Sequence, residues 1–194
     1  MSILRANQLD PSRACVLCID IQEKLLPHIR GNESIVGASR TLLAGAALFD
    51  LPVLATEQYP KGIGATVPPV RDALSAARAT VLEKMTFSSF AEPVVRETLL
   101  AIDRPQVIVF GIESHVCVQQ TTLDLVSRDY DVFVCADAVG SRGATDHERA
   151  LERMRQEGAL VTTVESVLFE LCHRCDAPRF KRLIEIIKAA GPRT

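Results

Sequence analysis

A chain of 194 residues with 47% hydrophobic and 24% charged side chains has ordinary globular composition and is long enough to bury a sizeable core. Its 22 basic residues against 24 acidic ones leave a net charge of -2, which offers no cationic face to a nucleic-acid backbone or an anionic lipid surface. The N-terminal residues lack the charged-then-apolar order of a secretion signal, and no apolar run approaches the ~20 residues of a membrane span, so the cytoplasm is the expected compartment.

Taken in chain order, short β-branched runs at 15–19, 53–55, 80–82, 107–110, 132–135 and 160–164 alternate with segments whose apolar residues fall three and four apart, at 34–49, 92–101, 116–126 and 146–156. This alternation predicts repeated β-α units: an α/β fold of three layers, a parallel sheet of six strands between helices. The segment beginning at Phe180 is amphipathic and follows Pro178, predicting a terminal helix from about 178 that covers the sheet or packs on another subunit. The whole of 1–194 reads as one domain. One connection is unusual: residues 57–69 hold three of the ten prolines and two of the ten glycines, the composition of an ordered surface loop.

Six cysteines without the spacing of a small secreted scaffold predict reduced thiols. Cys172 and Cys175 form a C-x-x-C unit with no second pair to complete a zinc site, and Cys15 and Cys18 share that spacing on a strand that points them to opposite faces. No G-x-G-x-x-G or P-loop follows a strand, which counts against a nucleotide-binding module.

In an open α/β sheet, ligands bind beyond the carboxyl ends of the strands. Asp20 closes the first run, Lys84 follows the third, and Cys117 follows the fourth, where a helical pattern starts near Ser114. A helix N-terminus pushes a thiol toward thiolate and supplies free amides beside it. A carboxylate, an ammonium and a thiol converging at one crevice are the grouping an activated nucleophile needs. Singly, each has a plainer reading as a helix cap, a solvated lysine or a buried small residue.

The stretches carrying Asp20 and Gln22, Thr56-Glu57-Gln58-Tyr59-Pro60, Lys84-Met-Thr-Phe87, Gly111-Ile-Glu113-Ser-His115-Val-Cys117 and Asp137-Ala-Val-Gly-Ser-Arg142 resemble the isochorismatase-like cysteine hydrolases over about residues 12–170. Among the branches of that superfamily, the Thr-Glu-Gln-Tyr-Pro loop is most similar to the isochorismatase-domain-containing proteins. The resemblance implies sheet order 3-2-1-4-5-6, a catalytic triad of Asp20, Lys84 and Cys117, and a cis peptide between Ile112 and Glu113 that aims the amides of Glu113 and Cys117 at one oxyanion. It implies a pocket walled by Gln22, Tyr59, Phe87, Phe90 and Glu113, and a homo-oligomer. The activity implied is hydrolysis of a small amide or related carbonyl compound through a thioester; a catalytically silent scaffold on the same fold is the alternative. Nicotinamidases of the superfamily place an Asp-x-His metal pair where this chain has Thr56-Glu57-Gln58-Tyr59, so no metal or other cofactor is expected and nicotinamide is a poor substrate candidate. True isochorismatases dispense with the thiol, so Cys117 argues against that activity. His115 and His147 read as a surface helix residue and a solvated first helical turn.

Overall fold

A computed structural model describes residues 8–191. Its centre is a six-stranded parallel sheet in the order β3-β2-β1-β4-β5-β6, the topology that the resemblance implied. The strands are β1 (Ala14–Ile19), β2 (Val53–Gln58), β3 (Thr80–Lys84), β4 (Gln106–Ile112), β5 (Asp131–Gly140) and β6 (Leu160–Thr162). Every residue of β1 and of β4 is buried, as their unbroken apolar runs require of central strands covered on both faces. The edge strand β3 is exposed along most of its length and buries only its last residue, Lys84.

The helices are α1 (Asn32–Leu48), α2 (Pro60–Ile63), α3 (Pro68–Ala76), α4 (Pro93–Ile102), α5 (Gln119–Val126), α6 (Ala144–Gln156), α7 (Val164–Cys172) and α8 (Phe180–Ala190). On one side α1 packs against α3, α7 and α8, while α5 and α6 pack together on the other. Thus α8 lies on its own chain through α1 and α7, with Leu183 fully buried. Proline opens α2, α3 and α4, where its missing N–H costs nothing and its fixed φ starts the first turn.

Several boundaries depart from the sequence reading. Strands β2, β3, β4 and β5 run longer than their β-branched cores because polar residues continue the ladders: Glu57 pairs with Glu83 and Gln58 with Lys84. Strand β6 stops at Thr162, and Thr163 caps α7 by accepting the amide of Ser166, a helix start hidden within a β-branched run. Helix α3 occupies the end of what reads as a loop. The segment expected to begin a helix at Ser114 is a π turn, Ser114–Val118, before α5 takes over at Gln119.

The two halves of the sheet meet where β1 lies beside β4, with Cys18 opposite Phe110 and Ile19 opposite Gly111. Gly111 has φ +125°, and a Cβ there would stand 2.0 Å from the carbonyl oxygen of Ile19. Only glycine lets the strands close at that height, just below the carboxyl ends. Replacing it as Gly111→Ala is expected to destabilise the fold by about 3 kcal/mol or more, read as a lower urea midpoint, since both the dihedral and the clash oppose the substitution.

Candidate active site

Three strand ends deliver three side chains to one point. Asp20 follows β1 with φ +51°, Lys84 ends β3, and Cys117 sits in the π turn after β4. All three are buried, Asp20 and Lys84 almost completely. Lys84 Nζ lies 2.7 Å from Asp20 Oδ2, and the Cys117 thiol stands close enough to both for their charges to act on it. The convergence read from the sequence is therefore present in the geometry.

The Lys84 ammonium has three hydrogen-bond acceptors: Gln58 Oε1 at 2.7 Å, the Thr86 carbonyl at 3.1 Å and the Phe87 carbonyl at 3.2 Å. Asp20 Oδ1 accepts from Thr56 Oγ1 at 2.8 Å. Asp20 Oδ2, despite its closeness to Nζ, receives no directed hydrogen bond. The carboxylate is thus held by charge on one side and by a hydroxyl on the other, with one oxygen still open to a proton donor.

Burial raises the Asp20 carboxyl above its ordinary value, and the Lys84 ammonium with the Thr56 and Cys117 contacts offsets part of that rise. The Cys117 thiol is pushed up to about 12, first by burial and then by the Asp20 charge, with Lys84 pulling the other way. This corrects the expectation of a resting thiolate at a helix N-terminus. The residue lies in a turn beneath the surface, where desolvation and a neighbouring carboxylate outweigh the lysine, which favours a neutral thiol beside the carboxyl group.

The turn itself is well anchored. The carbonyl of Glu113 accepts from the amides of Val116 at 3.1 Å and Val118 at 3.2 Å, stepping past the amide of Cys117. Thr121 Oγ1 donates to the Cys117 carbonyl at 2.6 Å and accepts from the Ser89 amide at 2.8 Å, tying the segment after β3 to Cys117. The Ile112–Glu113 peptide is cis.

The residues proposed as pocket walls divide. Tyr59 and Phe87 are about half exposed and flank Lys84, the Tyr59 amide donating to the Lys84 carbonyl. Glu113 is engaged at 3.0 Å by Arg142 Nε. Gln22 is completely buried, and its amide is spent on backbone: Nε2 donates to the carbonyls of Gln58 and Gly64, and Oε1 accepts the Gln58 amide. It therefore braces the loop after β2 and presents no free donor to a ligand. Phe90 points elsewhere: its ring packs edge-on to Tyr130 at 6.1 Å beneath the Arg128 guanidinium at 4.8 Å. Those partners stand at the opposite end of α5 from Cys117, because the chain turns after Ser89 and carries the ring down toward the amino ends of the strands.

Sequence reasoning missed Thr56, Gln58 and Thr121, and gave His115 and His147 no partners. The signal for the first two was period-2 alternation: once β2 is extended to Gln58, Thr56 and Gln58 share a side. His147 is half-buried with Nδ1 2.9 Å from Ser114 Oγ, its basicity lowered by burial, and His115 Nδ1 lies 3.0 Å from Ser141 Oγ. A cavity of about 570 Å³ opens between α1 and α6 with His147 and Ser141 in its wall, and none of Asp20, Lys84 and Cys117 lines it. Among the described residues no group of three His, Cys, Asp or Glu side chains is placed to hold a metal ion, and no helix is long and apolar enough to cross a membrane. Of the C-x-x-C pair, Cys172 is buried at the end of α7 and Cys175 is exposed.

An α/β sheet of this order gathers a buried carboxylate, ammonium and thiol at the carboxyl ends of its strands, where this class of fold places its ligands. Residues 14–166 match the sequence profile of the Isochorismatase domain, and the chain belongs to that family of hydrolases. It is 37% identical to isochorismatase domain-containing protein 1 of Danio rerio over 99% of this chain, but spans only about two thirds (67%) of that relative. Isochorismatase domain-containing protein 2 of Xenopus laevis is 38% identical over 98% of this chain and 91% of its own length. Among solved structures, the MAR1 ribonuclease of Caenorhabditis elegans superposes with TM-score 0.89 at 38% identity, covering 95% of this chain and 94% of its own. YcaC of Pseudomonas aeruginosa, with covalent acrylamide, superposes with TM-score 0.85 at 25% identity over 97% of this chain and all (100%) of its own. YcaC of Escherichia coli, described as an octameric hydrolase of unknown specificity, has the same TM-score of 0.85 at 25% identity over 96% and 90%.

The raised carboxyl has a measurable consequence for stability. Because the folded pKa of Asp20 exceeds its unfolded value of 3.8, its contribution is fully present below that value and is lost as pH rises through the folded pKa. The unfolding free energy of the wild type relative to Asp20→Asn should therefore fall as pH rises above 3.8 and through the raised folded pKa. Urea titrations at successive pH values check this; a difference that grows with pH would contradict the assignment of burial as the dominant cause.

Proposed function

We propose that the protein is a cysteine-dependent hydrolase of a small amide or related carbonyl compound, with Asp20, Lys84 and Cys117 as its triad. The observation that carries this reading is the oxygen of Asp20 left without a directed hydrogen bond beside a neutral thiol. As Cys117 Sγ attacks the carbonyl carbon, its proton passes to Asp20 Oδ2 and the carbonyl electron pair moves to oxygen. The amides of Glu113, just before the π turn, and of Cys117, within it, are the proposed donors to that oxyanion. Asp20 returns the proton to the leaving nitrogen as the C–N bond breaks. Water then gives a proton to Asp20 and attacks the thioester, the C–S bond breaks, and the sulfur recovers the proton. The products are a carboxylic acid and ammonia or an amine.

Lys84 lowers the cost of the charged states of both neighbours and keeps the carboxylate ionised in a buried place. A relative that holds covalent acrylamide supports an accessible nucleophile in this fold. Tyr59 and Phe87 are the proposed walls of the mouth, which favours a partly apolar substrate, with Glu113 fixing its polar end through the Arg142 pair. A homo-oligomer is proposed on the precedent of the octameric relative, and a reducing compartment such as the cytoplasm suits six free cysteines. One relative is named a ribonuclease; a net charge of -2 and a carboxylate-thiol site in this chain favour a small carbonyl substrate over a phosphodiester.

A screen of small primary amides for ammonia release tests the reading. Activity on at least one amide should vanish in Cys117→Ala and fall about 100-fold or more in kcat in Lys84→Met. Wild-type turnover in either folded variant, or cleavage of RNA that depends on Cys117 with no amide turned over, would overturn it.

A further inference from the structure

Two buried glutamines remain once the triad is described. Gln22 grips the backbone of Gln58 from both sides, accepting its amide at 2.8 Å through Oε1 and donating to its carbonyl at 3.0 Å through Nε2. The second hydrogen of Nε2 reaches the Gly64 carbonyl at 2.6 Å, which ties the loop after β2 into the same clamp. Glu57 reinforces that loop by accepting both the amide and the hydroxyl of Thr66 at 2.7 Å. Gln58 is thereby held at both backbone groups.

The Gln58 side chain has only one workable orientation. Its Nε2 donates to the Met85 carbonyl at 2.9 Å, and its Oε1 accepts from Lys84 Nζ at 2.7 Å. A flipped amide would turn N–H groups onto an ammonium and an oxygen onto a carbonyl, so both contacts would become repulsive. Gln58, Thr86 and Phe87 accept from Nζ in hydrogen-bonding geometry, whereas Asp20 Oδ2, although 2.7 Å away, lies outside that geometry.

Resting on the thiol-hydrolase reading above, we infer that Gln58, clamped by Gln22, is a positioning residue that aims the Lys84 hydrogens away from Asp20 Oδ2 and so reserves that oxygen for the Cys117 proton. Removing the Gln58 acceptor frees one ammonium hydrogen, and the nearest unsatisfied acceptor is Asp20 Oδ2. A carboxylate that gains a charged hydrogen bond becomes a weaker base. The role accounts for two buried side-chain amides whose hydrogen bonds go to groups within the protein, and it assigns Gln22 a task different from substrate binding.

The test is the pH dependence of Cys117 alkylation by iodoacetamide, followed by peptide mass mapping, in the wild type, Gln58→Leu, Gln58→Glu and Asp20→Asn. The wild-type profile should show an acid limb set by Asp20, absent in Asp20→Asn. In Gln58→Leu the midpoint of that limb should move down by about one pH unit and the plateau rate should fall about tenfold. In Gln58→Glu, nearly the same shape and therefore suited to the test if Gln58→Leu fails to fold, the added negative charge should move the midpoint up. Gln22→Leu should follow Gln58→Leu with a smaller shift. A merely structural role lowers the melting temperature of these variants and leaves the midpoint in place. Unmoved midpoints beside an Asp20-dependent limb overturn the role of Gln58 alone; a limb that persists in Asp20→Asn overturns the reading of Asp20 as base, and this inference with it.

Discussion

The ion pair between Asp20 and Lys84, 2.7 Å apart and removed from water, is the constraint around which the carboxyl edge of the sheet is built. Two opposite charges in a protein interior lose more hydration than their attraction returns unless neighbouring groups complete their hydrogen bonding. The edge strand β3 meets that requirement by burying its last residue after four that are largely exposed, and by folding back so that the Thr86 and Phe87 carbonyls face the ammonium it has just delivered. Strand β2 supplies the other two partners, Thr56 for the carboxylate and Gln58 for the ammonium, from alternate positions on one side. Three adjacent strands of the sheet thus end in one polar knot inside an otherwise apolar core.

The electrostatic state of Cys117 follows from that knot. A cysteine at an exposed helix start would be expected to ionise readily, yet here burial and the Asp20 charge hold the thiol in its neutral form. The two groups titrate as a pair, and the lysine makes the transfer of one proton between them less costly than ionising either into the interior. In the proposed mechanism the thiolate exists only when a carbonyl carbon is there to receive it, which protects a buried cysteine from unwanted chemistry while it waits.

The loop after β2 gives this arrangement its rigidity. Its proline- and glycine-rich composition pointed to a shaped surface segment, and much of it is pinned onto the β1 end by backbone bonds from Val67 to Ile21, Glu23 to Ala65 and Lys24 to Ile63. Tyr59, with φ +38°, starts the short helix α2, and its ring lies where any side chain at Gly62 would collide with it. In the family reading this is the stretch where a nicotinamidase carries metal ligands. In this chain the same strand end carries Gln58, which reaches Lys84.

Alternating β-branched runs and helical periodicity determined the fold class, because both faces of a parallel sheet must be covered and each covering helix must show an apolar stripe. Asp20, Lys84 and Cys117 were legible too, since each follows a strand and the carboxyl ends of parallel strands share one edge. What only the tertiary structure decided are the partners. The Ser89 amide meets Thr121 across the fold, and His147 meets Ser114 from another helix, contacts that no local pattern records. Gln22 and Gln58 stand 36 residues apart, and whether a polar side chain faces a ligand or spends itself on backbone depends on which carbonyls folding brings within reach. Phe90 likewise lies close in sequence to Phe87, whose carbonyl meets Lys84, yet a turn of the chain sends its ring to the other end of the sheet. Pattern sets which surfaces must be buried; the three-dimensional packing sets what each buried polar atom finds there.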